Sequence, residues 1–198
     1  SDEVLKERLS LLDEKTPINI SYNENLASVI NYYLSKDDEY FQRIFSLGDF
    51  YFPMFESELI QRSVPLELKY LAIVESALNP QAKSPAGAVG LWQFMYQTGK
   101  AYGLEVNSYQ DERMQPEQAT RAAAAYLKDL HQIFDDWNLA IAAYNSGPGN
   151  VSKAIRRSGG STNFWNIRYF LPRETAGYVP SFQAIMYIFE YADEHQIS

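Results

Sequence analysis

The sequence of 198 residues contains no cysteine, and this absence removes several kinds of chemistry at once. Without a thiol there is no disulfide framework, thiol nucleophile or thiolate metal site. No apolar run reaches the roughly 18 residues that a membrane span needs, and no charged start followed by an apolar stretch marks a signal peptide. Because the sequence begins with Ser1 rather than Met, we expect any export signal or lipid anchor to lie outside it.

An excess of positive charge is also missing. The chain has 17 Lys and Arg against 25 Asp and Glu, which gives a net charge of -8 and an isoelectric point near 4.8. No basic stripe is available to neutralise phosphates, so we predict no nucleic-acid partner. The few clustered cations, Lys153, Arg156 and Arg157, are typical of a solvated helix face.

Metal-ligand patterns and strand patterns are scarce as well. His131 has no second ligand residue at metal-binding spacing, and no EF-hand pattern occurs, so we predict no metal and no cofactor. No alternating run of β-branched residues is convincing as a strand. Helical patterns and 46% hydrophobic residues instead predict an all-α domain with a sizeable core.

Start and stop signals predict the order of the helices along the chain. Asn23 or Asn25 and Asp135 or Asp136 are the expected N-caps of two of them. Gly48 is expected to end one helix, and Pro53 to lie early in the next. The predicted helices cover residues 1–12, 24–34, 37–48, 50–63, 65–78, 92–102, 116–134, 137–145, 150–157 and 180–193.

Glu75 is the first candidate for chemistry, because the pattern around it predicts burial. The helix over residues 65–78 is apolar nearly all round, and Glu75 lies towards its end. Loss of hydration there would raise the pKa of the carboxyl group, as a general acid working near neutral pH requires. The structural alternative is a glutamate that pairs with an arginine or reaches solvent, and the helix alone favours that alternative.

The stretch after this helix, SPAGAVGLWQF, brings aromatic and amide groups beside the acid. Gly87 and Gly90 indicate tight turns or a close backbone approach. The chain then enters a helical pattern that carries Trp92 and Gln93.

A second cluster lies where an apolar helix gives way to the turn Gly147-Pro148-Gly149. At such a point, the polar ends of Tyr144 and Asn145 can project into a cleft instead of a core. A Tyr-Asn-Ser-Gly ending is also a common helix exit, and the residues alone favour this structural interpretation.

Other acids could supply a second catalytic carboxylate. Glu105, Asp111 and Glu112 lie in a polar loop, and loop solvation and capping are the favoured interpretation of all three. Glu117, Asp135 and Asp136 are interpreted in the same way. Glu75 is therefore the one acid that the pattern places in a desolvated setting.

Taken together, motifs across roughly residues 40–191 resemble a known family. VESALNP, GAVGLWQF, AIAAYNSGPGNV and LPRETAGYVP occur in family-like order and spacing. The sequence resembles the catalytic domain of lytic murein transglycosylases of the soluble-lytic-transglycosylase type, closest to the membrane-bound D type. It departs from the pattern at Trp92, where many relatives carry Met, and this affects the expected shape of one subsite.

The resemblance implies a lysozyme-like, goose-type-lysozyme-like fold and cleavage of the β-1,4 linkage between MurNAc and GlcNAc in peptidoglycan. Glu75 would be the catalytic acid, Tyr178 would orient it, and Gln93 would hold the substrate. Tyr144 and Asn145 would shape the groove near the reacting sugar. The implied substrate-binding residues are Ser76, Gln93, Tyr144, Asn145 and Tyr178. With no second carboxylate to activate water, the sugar's own 6-hydroxyl is the predicted nucleophile, closing a 1,6-anhydro ring.

The predicted organisation is an N-terminal helical arm over residues 1–60 that packs on a lysozyme-like domain over residues 61–198. The resemblance implies peptidoglycan glycan strands as the partner, a monomer, and a place on the periplasmic side of the envelope, with any outer-membrane anchor outside this sequence. Lys153, Arg156 and Arg157 have a second interpretation here, contact with acidic stem peptides. A goose-type hydrolase and a non-catalytic glycan-binding scaffold are the alternatives.

Overall fold

The computed structural model describes residues 1–197, whose regular structure is helical. Within these residues, β-structure is limited to isolated bridges such as Val89 with Phe94. The α-helices are α1 (Asp2–Lys15), α2 (Glu24–Leu34), α3 (Asp38–Gln61), α4 (Leu71–Ser76), α5 (Tyr96–Ala101), α6 (Pro116–Phe134), α7 (Trp137–Ser146), α8 (Pro148–Arg157), α9 (Phe164–Ile167) and α10 (Arg173–Glu190). Short 3₁₀ helices cover Leu66–Tyr70, Glu112–Met114 and Arg168–Phe170. No helix in residues 1–197 is both long enough and apolar enough to cross a bilayer.

Side chains cap the starts of three helices, two of them at predicted positions, Asn23 and Asp136. The side-chain oxygen of Asn23 accepts from the Leu26 N–H at 2.8 Å, and that of Asp37 accepts from the Tyr40 N–H at 2.9 Å. Asp136 caps α7 by accepting from the Leu139 N–H at 2.9 Å. Each carboxylate or amide satisfies a backbone donor that the first helical turn leaves without a partner, so these helix starts are encoded locally.

The chain forms two compact units, each made of separate stretches. The first unit contains residues 1–35 and 129–191, and the second contains residues 36–128 with the C-terminal residues from 192. These units group residues by contacts in space rather than along the chain. The division into an arm over residues 1–60 and a domain over residues 61–198 stays a prediction.

In the first unit, α10 packs against α2 and α7 and also contacts α1. Arg8 of α1 donates to the Tyr187 hydroxyl at 3.2 Å, and Lys15 pairs with Glu190 at 2.8 Å. The buried face of α10 is mostly apolar, with Phe182 and Ile185, and also includes the polar residues Thr175 and Gln183. The first helices are therefore tied to the last one through an apolar core edged by polar contacts.

The last helix begins earlier than its sequence predicts. We expected it to start near Pro180, but α10 starts at Arg173 and continues through Pro180. A proline inside a helix cannot donate to the carbonyl four residues before it, here that of Ala176. The Arg168 Nε donates to this carbonyl at 3.0 Å, so the lost helical bond is replaced by a side chain.

In the second unit, α3 is one helix where we expected two. It runs from Asp38 to Gln61 through both Gly48 and Pro53. Gly48 is buried and does not end the helix, and a Cβ atom there would lie 2.8 Å from the ring of Phe52. The glycine thus makes room for an aromatic side chain one turn later.

The helices on either side of the glycine-rich stretch are shorter than predicted. The segment expected as one helix over residues 65–78 is a 3₁₀ helix, Leu66–Tyr70, followed by α4 of six residues. The helix expected from Trp92 begins only at Tyr96. Residues 77–95 therefore form a long loop, which is held by backbone turns and bridges as well as by side-chain contacts.

Candidate active site

Glu75 lies in the last turn of α4, at the point where this short helix ends. Leu71, Ala72 and Ile73 are buried, whereas Glu75 is half-buried, so the predicted burial on nearly all sides is too strong. The helix ends because Ala77 and Leu78 both adopt left-handed conformations, with φ of 51° and 62°. Such conformations cost about 1 kcal/mol or more each in residues other than glycine. The fully buried Leu78 side chain helps to hold them.

Ser76 ties α4 to the loop that follows. Its hydroxyl lies 3.0 Å from the Ala72 carbonyl oxygen and 2.9 Å from that of Leu91. A serine hydroxyl has one proton to donate, so its donor capacity is engaged by backbone. In this structure Ser76 acts on the loop that carries Gln93.

The loop over residues 82–94 folds back on itself in a narrow turn. The Gly90 N–H donates to the Ala82 carbonyl at 2.8 Å, and Val89 and Phe94 exchange backbone bonds at 3.0 and 3.1 Å. Gln93 has a left-handed φ of 51°. Its amide nitrogen donates to the carbonyls of Ala82 and Gly90 at 3.1 and 2.9 Å, which uses both amide protons. The carbonyl oxygen is the atom that Gln93 can offer to a ligand.

Arg113 fixes this loop from behind, a role that no sequence pattern predicts. It is only 8% exposed, and its Nη1 donates to the carbonyls of Gly87 and Phe94 at 3.2 and 3.1 Å. Its Nε and Nη2 bind both carboxylate oxygens of Asp111 at 3.0 and 2.8 Å. This charged hydrogen bond holds the pKa of the Asp111 carboxyl below its ordinary value.

Gly90 packs directly on the backbone of Arg113. A Cβ atom at Gly90 would lie 1.8 Å from the Arg113 carbonyl oxygen, and the φ of Gly90 is +92°. Glycine is therefore required here both for space and for conformation. Gly87 also has a positive φ, +99°, but a Cβ atom there would meet nothing within 4 Å.

Trp92 lies in the core and not on a groove wall. Its side chain is 0% exposed, packs against Phe55 at a ring-centroid distance of 5.1 Å, and donates from Nε1 to the Thr120 hydroxyl at 2.9 Å. Trp92 can therefore influence the shape of a subsite only indirectly, through its packing behind the loop over residues 82–94.

The other predicted site residues belong to the first unit. Tyr144 and Asn145 are in the last turn of α7, and Tyr178 is in α10, where it is 5% exposed. Asn145 is half-buried, and its Oδ1 accepts from the hydroxyl of Thr175 at 2.8 Å. Thr175 is not among the residues that the sequence motifs singled out. The six candidates thus divide equally, with Glu75, Ser76 and Gln93 in the second unit.

Four of the six acids interpreted as loop and capping residues have such roles. Asp111 pairs with Arg113, and Asp136 caps α7. Glu112 accepts from the Glu105 N–H at 2.7 Å, and Glu105 accepts from Gln110 at 3.0 Å. The role of Glu75 as the catalytic acid stays a prediction.

Two further sequence interpretations concern His131 and the cationic cluster. The ring of His131 stacks on Trp137 at 3.9 Å, and no group of three potential metal-ligating residues occurs within residues 1–197. Lys153, Arg156 and Arg157 are exposed on α8, and none forms an ion pair within the described part of the chain. Their contact with stem peptides stays a prediction.

Comparison with known families gives a match that covers more than half of the chain. Residues 52–166 match the model of the transglycosylase SLT domain. The chain belongs to the SLT domain family. All the motifs that carry the sequence resemblance except LPRETAGYVP lie inside the matched range.

The SLT chain also resembles individual proteins. It is 36% identical over 180 residues to the membrane-bound lytic murein transglycosylase D of Escherichia coli K12. This alignment covers 89% of this chain and 39% of that protein. The structure of the 70-kDa soluble lytic transglycosylase of E. coli matches 87% of this chain and 31% of its own, with 25% identity and a TM-score of 0.62. An inactive mutant of the lytic transglycosylase Slt of Pseudomonas aeruginosa matches 71% of this chain and 24% of its own, with 28% identity and a TM-score of 0.57.

These matches confirm the predicted family and the predicted all-α, lysozyme-like fold. They also show that the SLT chain spans less than half the length of the relatives it matches.

Proposed function

We propose that this SLT-family chain is the catalytic part of a peptidoglycan lytic transglycosylase. It would cleave the β-1,4 bond between MurNAc and GlcNAc and leave a 1,6-anhydro-MurNAc end. The observation that carries the proposal is the family match over residues 52–166, which includes Glu75 and the loop that follows it. The relatives are named as lytic transglycosylases, so a hydrolase is not favoured.

In the first step, Glu75 would donate a proton to the glycosidic oxygen, and the bond from that oxygen to C1 of MurNAc would break. The oxygen of the 2-acetamido group would stabilise the positive charge that develops at C1. A half-buried carboxyl group at a helix end can reach a ligand and is partly shielded from water. This combination suits a group that must give up its proton and recover it in each cycle.

In the second step, the 6-hydroxyl of the same sugar would attack C1 while Glu75 takes up the hydroxyl proton. A bond from O6 to C1 forms, and Glu75 returns to its protonated state. No water enters, so the products together have the mass of the substrate. Engagement of Asp111, Glu105 and Glu112 by neighbouring groups supports this route, because a hydrolase that activates water usually needs a second carboxylate.

The remaining predicted residues would bind and orient the sugars. Gln93 would accept a hydrogen bond through its carbonyl oxygen, since its amide protons are engaged by the loop. Tyr144 and Asn145 would shape the groove near the reacting sugar, and Tyr178 would orient Glu75. Ser76 would act indirectly, by holding the loop that carries Gln93.

The same proposal extends to organisation and location. Residues 1–60 would serve as a helical arm on a catalytic domain over residues 61–198, supported by the contacts of Arg8 and Lys15 with α10. The protein would act as a monomer on the periplasmic side of the envelope, with any outer-membrane anchor outside this sequence. The name of the membrane-bound relative supports this location.

Digestion of purified sacculi in isotopically labelled water tests the reaction type. We expect muropeptides that lack a reducing end, are one water lighter than the products of a muramidase, and carry no label from the solvent. Mass spectrometry of the fragments measures all three. A free reducing MurNAc that contains solvent oxygen would identify a hydrolase, and no fragments at all would identify a non-catalytic scaffold.

A further inference from the structure

We propose that Thr175 is a positioning residue that fixes Asn145 as a hydrogen-bond donor towards the substrate. The proposal rests on the function proposed above and adds a residue and a direction of hydrogen bonding to it. Asn145 can present either an acceptor oxygen or donor N–H groups to a ligand, depending on how its amide is turned. The contact with Thr175 selects between these orientations.

The hydrogen bond between the two side chains is short and shielded. The Thr175 Oγ1 lies 2.8 Å from the Asn145 Oδ1, and Thr175 is 1% exposed. Because a carbonyl oxygen only accepts, the threonine hydroxyl is the donor. A threonine in a helix commonly turns its hydroxyl back to a carbonyl of its own helix. Thr175 instead donates its hydroxyl proton to Asn145 of α7, a helix that packs against α10.

With its oxygen held by Thr175, Asn145 has its amide nitrogen left for other contacts. This nitrogen donates to no group in residues 1–197, although Asn145 is only half-exposed. Its position next to the end of α7 is not needed for capping. The Asn150 amide donates to the Ser146 carbonyl at 2.7 Å, and the Gly147 N–H donates to the Ala143 carbonyl at 2.7 Å.

The oriented amide would therefore donate to an acceptor oxygen of the glycan. The groups that fit are the carbonyl oxygen of an N-acetyl substituent and the ether or hydroxyl oxygens of a sugar ring. An amide held by a buried partner is already oriented when negative charge develops on the acceptor oxygen, so its hydrogen bond would be stronger in the transition state than in the bound substrate. An unheld amide would populate both orientations.

The test compares Thr175→Val with Thr175→Ser in the same chain. Valine keeps the shape of threonine and removes the hydroxyl, whereas serine keeps the hydroxyl. We expect Thr175→Val to lower kcat for anhydro-muropeptide release about tenfold, with KM changed less than about twofold, and Thr175→Ser to restore most of kcat. Thermal unfolding of both variants reports any loss of folded protein.

A double-substitution cycle separates positioning from a structural role. In an Asn145→Ala background, Thr175→Val should cause no further loss of kcat, because the group it positions is gone. Asn145→Asp keeps an acceptor for Thr175 but lacks the N–H donors, so it should be about as slow as Asn145→Ala. Additive losses, equal losses in the Val and Ser variants, or a fully active Asn145→Asp variant would overturn the proposal.

Failure of the proposal for Thr175 can be distinguished from failure of the proposed function. If the unsubstituted protein releases no fragments, or releases reducing ends, the function itself is wrong. If it releases anhydro-muropeptides and the cycle is additive, the function stands and Thr175 is only a packing residue.

Discussion

The two compact units hold their candidate site residues by different means. In the second unit, Gln93 lies on a loop that is shaped by a few specific contacts, namely the Arg113 guanidinium, the Gly90 backbone and the Ser76 hydroxyl. In the first unit, Tyr144 and Tyr178 are carried on α7 and α10, which are packed by many apolar side chains. A loop fixed by few contacts should be sensitive to single changes, whereas a helix fixed by many should tolerate them.

The largest effect is expected at Glu75 in the second unit. Glu75→Gln keeps the size of the side chain and removes the proton it would donate, so cleavage of sacculi should fall by at least about 10²-fold. The thermal midpoint and glycan binding should stay close to those of the unsubstituted protein. Glu39→Gln, the same change at an exposed position of α3, is the control and should leave cleavage unaffected. Comparable lysis by the Glu75 variant would show that another group is the acid.

Gly90→Ala tests whether the loop depends on a single close approach. The added methyl group overlaps the Arg113 carbonyl oxygen, so the free energy of unfolding should fall by more than about 3 kcal/mol. Gly87→Ala is the matched control, because its φ is also positive but its surroundings are open, and it should cost about 1 to 2 kcal/mol. Chemical denaturation measures both values. Similar losses in the two variants would mean that conformation alone, and not contact with Arg113, requires glycine at position 90.

Asp111→Asn tests the charged part of the same loop through its pH dependence. The pKa of Asp111 is lowered by its hydrogen bond to Arg113, so the pair stabilises the fold above the ordinary carboxyl pKa of 3.8 and loses this effect as pH falls through the lowered value. Near neutral pH the free energy of unfolding of the variant should be about 2 kcal/mol lower than that of the unsubstituted protein. Below pH 3.8 the difference from the unsubstituted protein should shrink. Asp49→Asn, at an exposed position of α3, should show no such convergence.

The smallest effect is expected in the first unit. Tyr178→Phe keeps the buried ring and removes only the hydroxyl, so cleavage should slow by about tenfold while glycan affinity changes less. Tyr187→Phe is the control, because it also removes a buried hydroxyl from α10. That hydroxyl accepts a hydrogen bond from Arg8, so its loss should lower stability without affecting kcat. Equal losses of rate and affinity in Tyr178→Phe would make this residue a binding contact.

The helices with strong local signals were predicted well from the sequence. The span of α6 and the caps at Asn23 and Asp136 follow from Pro, Asn and Asp at positions where a first helical turn needs them. The same local rules failed at Gly48 and Pro180. At Gly48, the ring of Phe52, one turn later in the same helix, occupies the space that a side chain would need, and at Pro180 the Arg168 side chain replaces the lost helical bond.

The loop beside Glu75 was not predictable from local patterns. Arg113 lies 26 residues beyond Gly87, and nothing in the sequence around either residue indicates that they meet. Local patterns made Glu75, Gln93, Tyr144 and Asn145 candidates, and the resemblance of whole motifs favoured their functional interpretation and added Ser76 and Tyr178. Thr175 lies inside one of those motifs and was still missed, because a threonine in a helix gives no sign that its hydroxyl will reach another helix.

The left-handed pair Ala77 and Leu78 has a consequence for any attempt to make this protein more heat-resistant. Glycine adopts such a conformation without steric cost, so replacing Ala77 with glycine is the kind of change that a search for thermostable variants would select. The same change would let the chain just after Glu75 sample more conformations. A change that raises thermal stability at Ala77 would then make the placement of the Glu75 carboxyl group less precise. A family member adapted to high temperature would therefore have to gain its stability at other positions.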